Sequence, residues 1–442
     1  MESELAEVAP NDWCRLPIEA VCSRVTSGGT PSRRRPDFYF GGKWNWVKTQ
    51  ELTDSWIDKT EEKITDDAIA SSSAKVLPPN TVLLALYGAT VGQLGILRKE
   101  MTCNQACCAM IVDPLKADYR FLFYQLLVSR SQLKRLATGA AQQNLSGQLI
   151  KAYKLPFPPI KEQKAIACIL GALDDKIEFN LRRNQTLQDI ARAIFQNWFV
   201  EFEPVRAKAA GRTPPRLTAE LALLFPDSFE DSALGEIPRG WRVGAVRDLC
   251  EKVENGGTPK RQIEEYWSPK EIPWLTSGEV RQSFVVNTEN FISMRGFDSS
   301  SAKMWPPFTT VVALYGATAG IATILGMELC ANQACCGLVP KANASCFIHQ
   351  LISDRLTTLQ QQARGSAQQN LSQSIVADLS CVIPPYDMLV AFEKVTHCQY
   401  QRCVDGIIES QRLAAMRDTL LPKLISGELR VSDAERIVGR AT

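Results

Sequence analysis

Histidine is nearly missing from this chain: only His349 and His397 occur among its 442 residues. The 14 cysteines include no C-x-x-C pair, so local spacing offers no zinc site, and no metal ligand set is expected. Cys107, Cys108, Cys335 and Cys336 stand in apolar stretches and are expected to be buried, reduced thiols acting as small hydrophobes. An excess of charge is lacking too, with 50 basic residues against 48 acidic ones. That balance supplies no global field for nucleic acid or membrane, so any nucleic-acid contact must rest on local patches or be shared with a basic partner. No apolar run reaches membrane-spanning length, and the opening MESELAEVAP has neither the basic start nor the apolar middle of a signal peptide. The expectation is a soluble cytoplasmic protein. Absent as well are a G-x-x-x-x-G-K-[ST] phosphate loop and a glycine-rich cofactor turn placed after a strand.

What is present is a duplication. ALYGAT at Ala85 to Thr90 and NQACC at Asn104 to Cys108 return verbatim at Ala313 to Thr318 and Asn332 to Cys336, a shift of 313 − 85 = 332 − 104 = 228 residues. The same shift carries Trp13 onto Trp241, GGTP at Gly28 to Pro31 onto Gly256 to Pro259, Trp46 onto Trp274 and Glu51 onto Glu279. AQQNLS at Ala141 to Ser146 meets its copy at Ala367 to Ser372 with a shift of 226. A period this long means two copies of one domain, not a solenoid. The chain is long enough for two such domains with ordinary cores.

Within the first copy, short segments rich in Val, Leu, Trp and Thr are punctuated by Gly and Pro. One helix is expected from near Ala117, with Tyr119, Leu122, Phe123, Leu126 and Leu127 at helical spacing. The fold class is α+β. ALYGAT reads as a strand, Val82 to Tyr87, ending in a turn at Gly88, either a plain strand–turn junction or a turn that approaches a ligand.

After LPFPPI the texture changes to a long helix over about Lys161 to Phe202. Ile166, Leu173, Asn180, Leu187 and Ile194 form one heptad row, and Leu170, Ile177, Asn184, Ala191 and Trp198 form the other. Asparagine in the middle of such a seam fixes register at a cost in stability. A second helix, about Tyr386 to Leu424, places Phe392, Gln399, Leu413 and Leu420 in phase with the first, with small Cys403, Gly406 and Ser410 between. The two are expected to pair as an antiparallel coiled coil, each helix about 60 Å long at 1.5 Å per residue. The Pro-, Gly- and charge-rich stretch from Phe202 to Trp241 has no long periodicity and reads as a pliable crossing linker.

The SGGTP and NGGTP turns at Ser27 to Pro31 and Asn255 to Pro259, both QQNLS strings and the proline-led start of each long helix carry a family likeness. So do FEPVRAKAAGR, FPDSFEDSALGEIPRGW and the closing LLPKLISGELRV. In this order, and largely twice over, they resemble the specificity (S) subunit of Type I DNA restriction-modification complexes along nearly the whole chain. The resemblance implies a target-recognition domain at 1–158, a central conserved helix at 159–202, a linker at 203–238, a second target-recognition domain at 239–384, a distal conserved helix at 385–431 and a tail at 432–442. It implies that each head reads half of a split site on double-stranded DNA while the helices hold the heads apart and dock two methyltransferase (M) subunits. Restriction (R) subunits would join for cleavage. S-adenosylmethionine would belong to the M subunits, and ATP and Mg to the R subunits; this chain would be non-catalytic and hold no cofactor.

Candidate DNA contacts follow from the motifs. Thr30 with Arg33, Arg34 and Arg35 forms the densest basic cluster of the first head, and Thr258, Lys260 and Arg261 take the equivalent place in the second. Lys48, Thr49 and Gln50 stand on the same frame as Thr276, Ser277 and Gly278, and unlike residues on a shared frame are where two half-sites would be distinguished. Tyr87 and Thr90, with Tyr315 and Thr318, come from the repeated turn. Gln142, Gln143 and Asn144, with Gln368, Gln369 and Asn370, offer amides suited to adenine edges; they equally suit a turn leading into helices started by Ser146 and Ser372. The rival class is catalysis. IPPY at Ile383 to Tyr386 resembles part of the N-P-P-Y motif of amino-methyltransferases, but Ile383 cannot accept a hydrogen bond from an adenine amino group, so a helix entrance is expected there. The remaining alternative is a helical scaffold or protein-binding adaptor without direct DNA readout.

Overall fold

VLLA at Val82–Ala85 is apolar at every position because it is the middle strand of a five-stranded sheet covered on both faces. Val82 and Leu84 join Phe121, Leu122 and Leu126 on one side; Leu83 and Ala85 join Val47, Leu77 and Leu97 on the other. The two-residue period of a strand divides the cysteines in the same way, Cys108 with the first group and Cys107 with the second. All four cysteines expected to be buried are buried and free. Burial pushes the Cys108 and Cys336 thiols up to about 12, which leaves them inert.

The structure, a computed structural model, describes residues 13–138, 144–365 and 370–439. It divides into two units, one made of the chain up to Ile177 together with the stretch from Arg412 onward, the other of Glu178–Gln411. In the first unit the sheet runs Cys22–Ser27, Cys107–Val112, Val82–Ala85, Leu94–Leu97, Ser55–Ile57, antiparallel but for the last pair. A three-stranded sheet places Trp44–Val47 between Lys63–Ile64 and Thr102–Cys103. The second unit repeats both, with Cys250–Asn255, Cys335–Pro340, Thr310–Ala313, Ala322–Leu325 and Phe284–Val285 in one sheet. Even the bulge recurs, between Cys22 and Arg24 and between Cys250 and Lys252. The expected helix is Tyr119–Val128, started by Asp118, whose side chain accepts from the backbone N–H groups of Arg120 and Phe121.

The two long helices are Ile160–Phe195 and Tyr386–Ser426. The α-helix of the first stops short of the expected 202. Gln196–Val200 takes a wider π turn, which lets Trp198 and Phe199 both enter an aromatic cluster, and Phe202 at φ 52° ends the element. In the first unit Ile166, Leu170 and Leu173 pack with Leu413, Leu420, Leu421 and Leu424, and Arg417 pairs with Asp174 at 2.7 Å. In the second, Asn180 donates to Glu409 at 2.8 Å and to Ser410 at 3.3 Å, and Asn184 donates to the Cys403 carbonyl at 3.1 Å. Position rises on one helix as it falls on the other, so the pair is an antiparallel coiled coil. Gln399 departs from the expected seam: it is half-buried, and its neighbour Tyr400 is the fully buried residue. Of the other expected seam residues, Ile177 is partly buried against the core of the first unit, Leu187 and Ile194 are partly buried against that of the second, and Phe392 is fully buried.

The segment expected to be a pliable linker is built into the second unit. It forms helices Glu203–Ala209 and Ala219–Leu223 and a hairpin of Phe229–Ser232 with Gly235–Pro238. Val205, Ala207, Phe225 and Ile237 are buried, and Phe225 meets Trp198 edge-on at 5.4 Å. Its apolar residues are too irregularly spaced to show a period, yet Val205 and Phe225, with Leu217, Leu221, Leu224 and Phe229, pack in the cluster that holds Phe199 and Phe392. Among the described residues no helix is long and apolar enough to cross a membrane.

Candidate nucleic-acid interface

The repeated strings converge on one end of the large sheet in each unit, where the same backbone hydrogen bonds tie the same loops. Gly28 N–H donates to the Cys107 carbonyl and Gly29 N–H to that of Cys103; Gly256 and Gly257 do the same to Cys335 and Ala331. Asn104 N–H donates to Val47, Leu86 to Ala106 and Leu145 to Leu86, at 2.9, 2.8 and 2.8 Å; Asn332, Leu314 and Leu371 repeat these bonds to Leu275, Ala334 and Leu314 at the same distances. The indole N–H of Trp46 donates to the Gly29 carbonyl at 2.9 Å, and that of Trp274 to Gly257 at 3.0 Å. Thr30 contacts Gln105, and Thr258 contacts Gln333. The GGTP turn, the stretch after Trp46 or Trp274, the ALYGAT turn and the QNLS end thus form one loop edge, twice.

The glycine pair has a structural reason. A Cβ on Gly28 would lie 2.1 Å from the Cys103 carbonyl oxygen and one on Gly29 2.3 Å from the Ala74 nitrogen; Gly256 and Gly257 meet backbone at 2.2 and 2.4 Å. The turn is glycine because chain crosses chain there, a steric reason independent of any ligand. Glu51 and Glu279 are also frame. Each accepts backbone N–H bonds from two segments, Lys48 and Glu61 in one head and Thr276 and Glu289 in the other.

The structure treats the basic cluster unevenly. Arg33 lies over the rings of Tyr39 and Trp46 at 4.4 and 5.1 Å and pairs with Glu62 at 2.7 Å. Arg35 is held by Asp37 at 2.6 Å and lies over Phe38; Lys48 pairs with Glu61 and Glu62. The Arg33 hydrogen bond, supported by Lys48, holds the Glu62 carboxyl below its ordinary range. These cations are neutralised within the head, and Arg34 is the exposed member with no ion pair among the described residues. In the second head Arg261 lies over Trp267 and Trp274 at 5.6 and 5.9 Å, the same cradle shifted by 228. The position of Glu62 is Asn290 there, and Arg261 and Lys260 stand exposed without a carboxylate partner among the described residues.

Other candidates sit on the same edge. Thr30, Gln50 and Asn144 are exposed, Thr49, Thr90, Thr258, Thr276 and Ser277 are half-buried, and Tyr315 is exposed. Tyr87 packs partly into the first core, Thr318 is buried, and Asn370 is half-buried with a partner of its own. Gln142, Gln143, Gln368 and Gln369 lie outside the described residues. Ser146 and Ser372 do start helices, their side chains accepting from Leu149 and Ile375. Gln105 and Gln333 were missed as candidates although NQACC repeats verbatim, and the aromatic cradle was missed because Tyr39 and Trp267 are not identical. Tyr386 of IPPY opens the second long helix and accepts from the Asn343 amide at 2.8 Å, a helix entrance.

A family model for the Type I restriction modification DNA specificity domain matches residues 10–189 and 238–388. The chain is 26% identical over 441 residues to the specificity subunit of the Type I restriction enzyme MjaIX of Methanocaldococcus jannaschii, covering 98% of this chain and 96% of that one. It is 30% identical over 324 residues to the HindI specificity subunit of Haemophilus influenzae, 63% of this chain and 70% of the relative. Among solved structures, the S subunit of a Type I restriction-modification system from M. genitalium matches with a TM-score of 0.64 at 16% identity, over 95% of this chain and 98% of that one.

Proposed function

Because the chain belongs to the Type I restriction modification DNA specificity family, we propose that each of its heads reads one half of a split site on double-stranded DNA. The observation that supports this reading most is the duplicated loop edge. One backbone frame, tied by the same hydrogen bonds twice, carries unlike side chains: Lys48 against Thr276, Thr49 against Ser277, Arg34 against Gln262 and Glu62 against Asn290. A frame in common with different edge chemistry suits two half-sites that are related but not identical.

The antiparallel helices are the spacer. Two modules reading one face of a duplex need half-site centres about 34 Å apart, one helical turn, and paired helices can enforce a distance where a loop cannot. Two M subunits bind this chain and carry S-adenosylmethionine; R subunits carry ATP and Mg. The chain itself performs no chemistry, so with Mg²⁺ it leaves plasmid uncut and with S-adenosylmethionine it leaves it unmethylated.

The spacer is tested by inserting four residues, about one turn, into the helix after Ile160. Methylation mapped in a host carrying the variant with its M partners should show a changed gap and unchanged half-sites; an unchanged gap defeats the spacer. Exchanging residues 33–50 for 261–278 should transfer half-site preference to the first head. Retention on DNA, alone or with M subunits, should fall steeply as salt rises, and salt-insensitive retention would favour a protein-binding scaffold.

A further inference from the structure

In the second head the helix Ser345–Asp354 lacks the cap that starts its counterpart. The position equivalent to Asp118 is Cys346, since 346 − 118 = 228, and no side chain of this segment caps the helix. Glu393, from the second long helix, caps it instead: its Oε2 accepts from Cys346 N–H at 3.0 Å and its Oε1 from the Ser345 hydroxyl. Capping accounts for the carboxylate, and two further side chains of metal-ligand type stand beside it. The Cys346 thiol is fully buried beside it, and His397, one turn on, brings Nδ1 to 3.3 Å from Glu393 Oε1. The thiol, carboxylate and imidazole ligand atoms all lie within 4.8 Å of one another.

We propose that Cys346 Sγ, a Glu393 carboxylate oxygen and His397 Nδ1 form a binding site for a divalent transition-metal ion of the zinc class. Bond lengths of about 2.0–2.3 Å in a tetrahedral site place neighbouring ligand atoms about 3.3–3.8 Å apart, and the imidazole and carboxylate already stand at that separation. A soft thiolate and a borderline imidazole stand beside one hard carboxylate, and the first two select against Mg²⁺ and Ca²⁺, which take oxygen ligands. One thiolate, one carboxylate and one neutral imidazole cancel a 2+ charge, so the complex is neutral where a bare cation would be costly to bury. On binding, the Cys346 thiol gives its proton to solvent and the sulfur keeps the electron pair it donates to the metal. Water takes the fourth position on the side of His397, whose side chain is 44% exposed.

The hydrogen bonds to Glu393 from Ser345 and Cys346 N–H serve as the outer shell that orients a ligating carboxylate. Phe308, 4.3 Å from the imidazole centroid, fixes the ring. The site would fasten the helix of the second head to its long helix. The first head has Asp118, Ala167 and Gly171 at these places and uses its own aspartate cap, so the device belongs to one copy.

The full chain, reduced and stripped with a chelator, is titrated with Co²⁺. The expected result is one Co²⁺ per chain with a thiolate-to-cobalt charge-transfer band and tetrahedral d–d bands, displaced by Zn²⁺. Cys346→Ala removes the charge-transfer band, and Cys398→Ala leaves it. Because Cys346 is buried, His397→Gln at a partly exposed position supplies the second measure: it weakens Co²⁺ binding about tenfold or more. Absence of the band in the folded wild-type chain, its survival in Cys346→Ala, or unchanged affinity in His397→Gln overturns the site.

Discussion

Gly28, Arg33 and His349 show how single residues here are set by what crosses them rather than by what surrounds them in sequence. Gly28→Ala or Gly256→Ala drives a methyl into a carbonyl oxygen of the crossing chain, so each should destabilise its own head by about 1–3 kcal/mol in urea unfolding. Arg33 and Arg261 share an aromatic cradle, but Glu62 neutralises only the first. Arg261→Ala should therefore weaken DNA binding by the full complex and lower its salt slope by about 1, whereas Arg33→Ala should act mainly on the stability of the first head. An equal loss of salt slope in both variants would show that Glu62 does not screen Arg33.

His349 carries the pH dependence at this scale. Burial, with Arg192 adding to it, pulls its pKa from 6.5 down to about 4, and its Nδ1 meets the Tyr400 hydroxyl at 2.7 Å. Between those values the unfolded chain takes up a proton that the folded chain refuses. The contribution is therefore complete above pH 6.5 and is lost as pH falls toward 4, a change on the order of 3 kcal/mol. The first head has Phe121 at this position, and Gln350 still donates to Tyr400 at 2.7 Å, so His349→Phe should fold and flatten the loss of second-head stability between pH 7 and 5.

Among the elements, the coiled coil and the segment 203–238 contrast in how they can be read from sequence. Heptad rows of Ile, Leu and Asn repeat over local distances, so helix, seam and buried asparagines are visible without coordinates. The seam drifts at Gln399 because Tyr400 reaches His349 and Gln350 and takes the core. The segment 203–238 shows no period because each buried residue answers to a different neighbour. Removing the Phe225 ring, which packs against Trp198, should cost about 3–5 kcal/mol and make cleavage after Arg212 or Arg216 rapid in limited proteolysis. A truly pliable tether would be cut equally fast in the wild type.

For the whole molecule, the unit boundaries do not follow chain order. The first head shares its core with Leu413, Leu420, Leu424 and Ala434 from the far end of the chain. Truncation after Gln411 uncovers Ile166, Leu170 and Leu173, so it should lower the unfolding temperature of the first head and leave the second near its original value. Hydrogen exchange resolved by peptide distinguishes the two; uniform loss of protection would contradict the division into units.

The duplication, the α+β class and the paired helices are one-dimensional signals: a direct repeat, short apolar runs punctuated by Gly and Pro, and a seven-residue period survive in the string itself. Tertiary structure alone decided which cations are free, why the glycine pair is glycine, that 203–238 is docked, and that a thiol, a carboxylate and an imidazole meet. Those outcomes depend on partners such as Glu62 for Arg33, 29 residues away, and Glu393 for Cys346, 47 residues away. No local pattern encodes a separation of that kind, because it is fixed only when the sheets and helices close on one another.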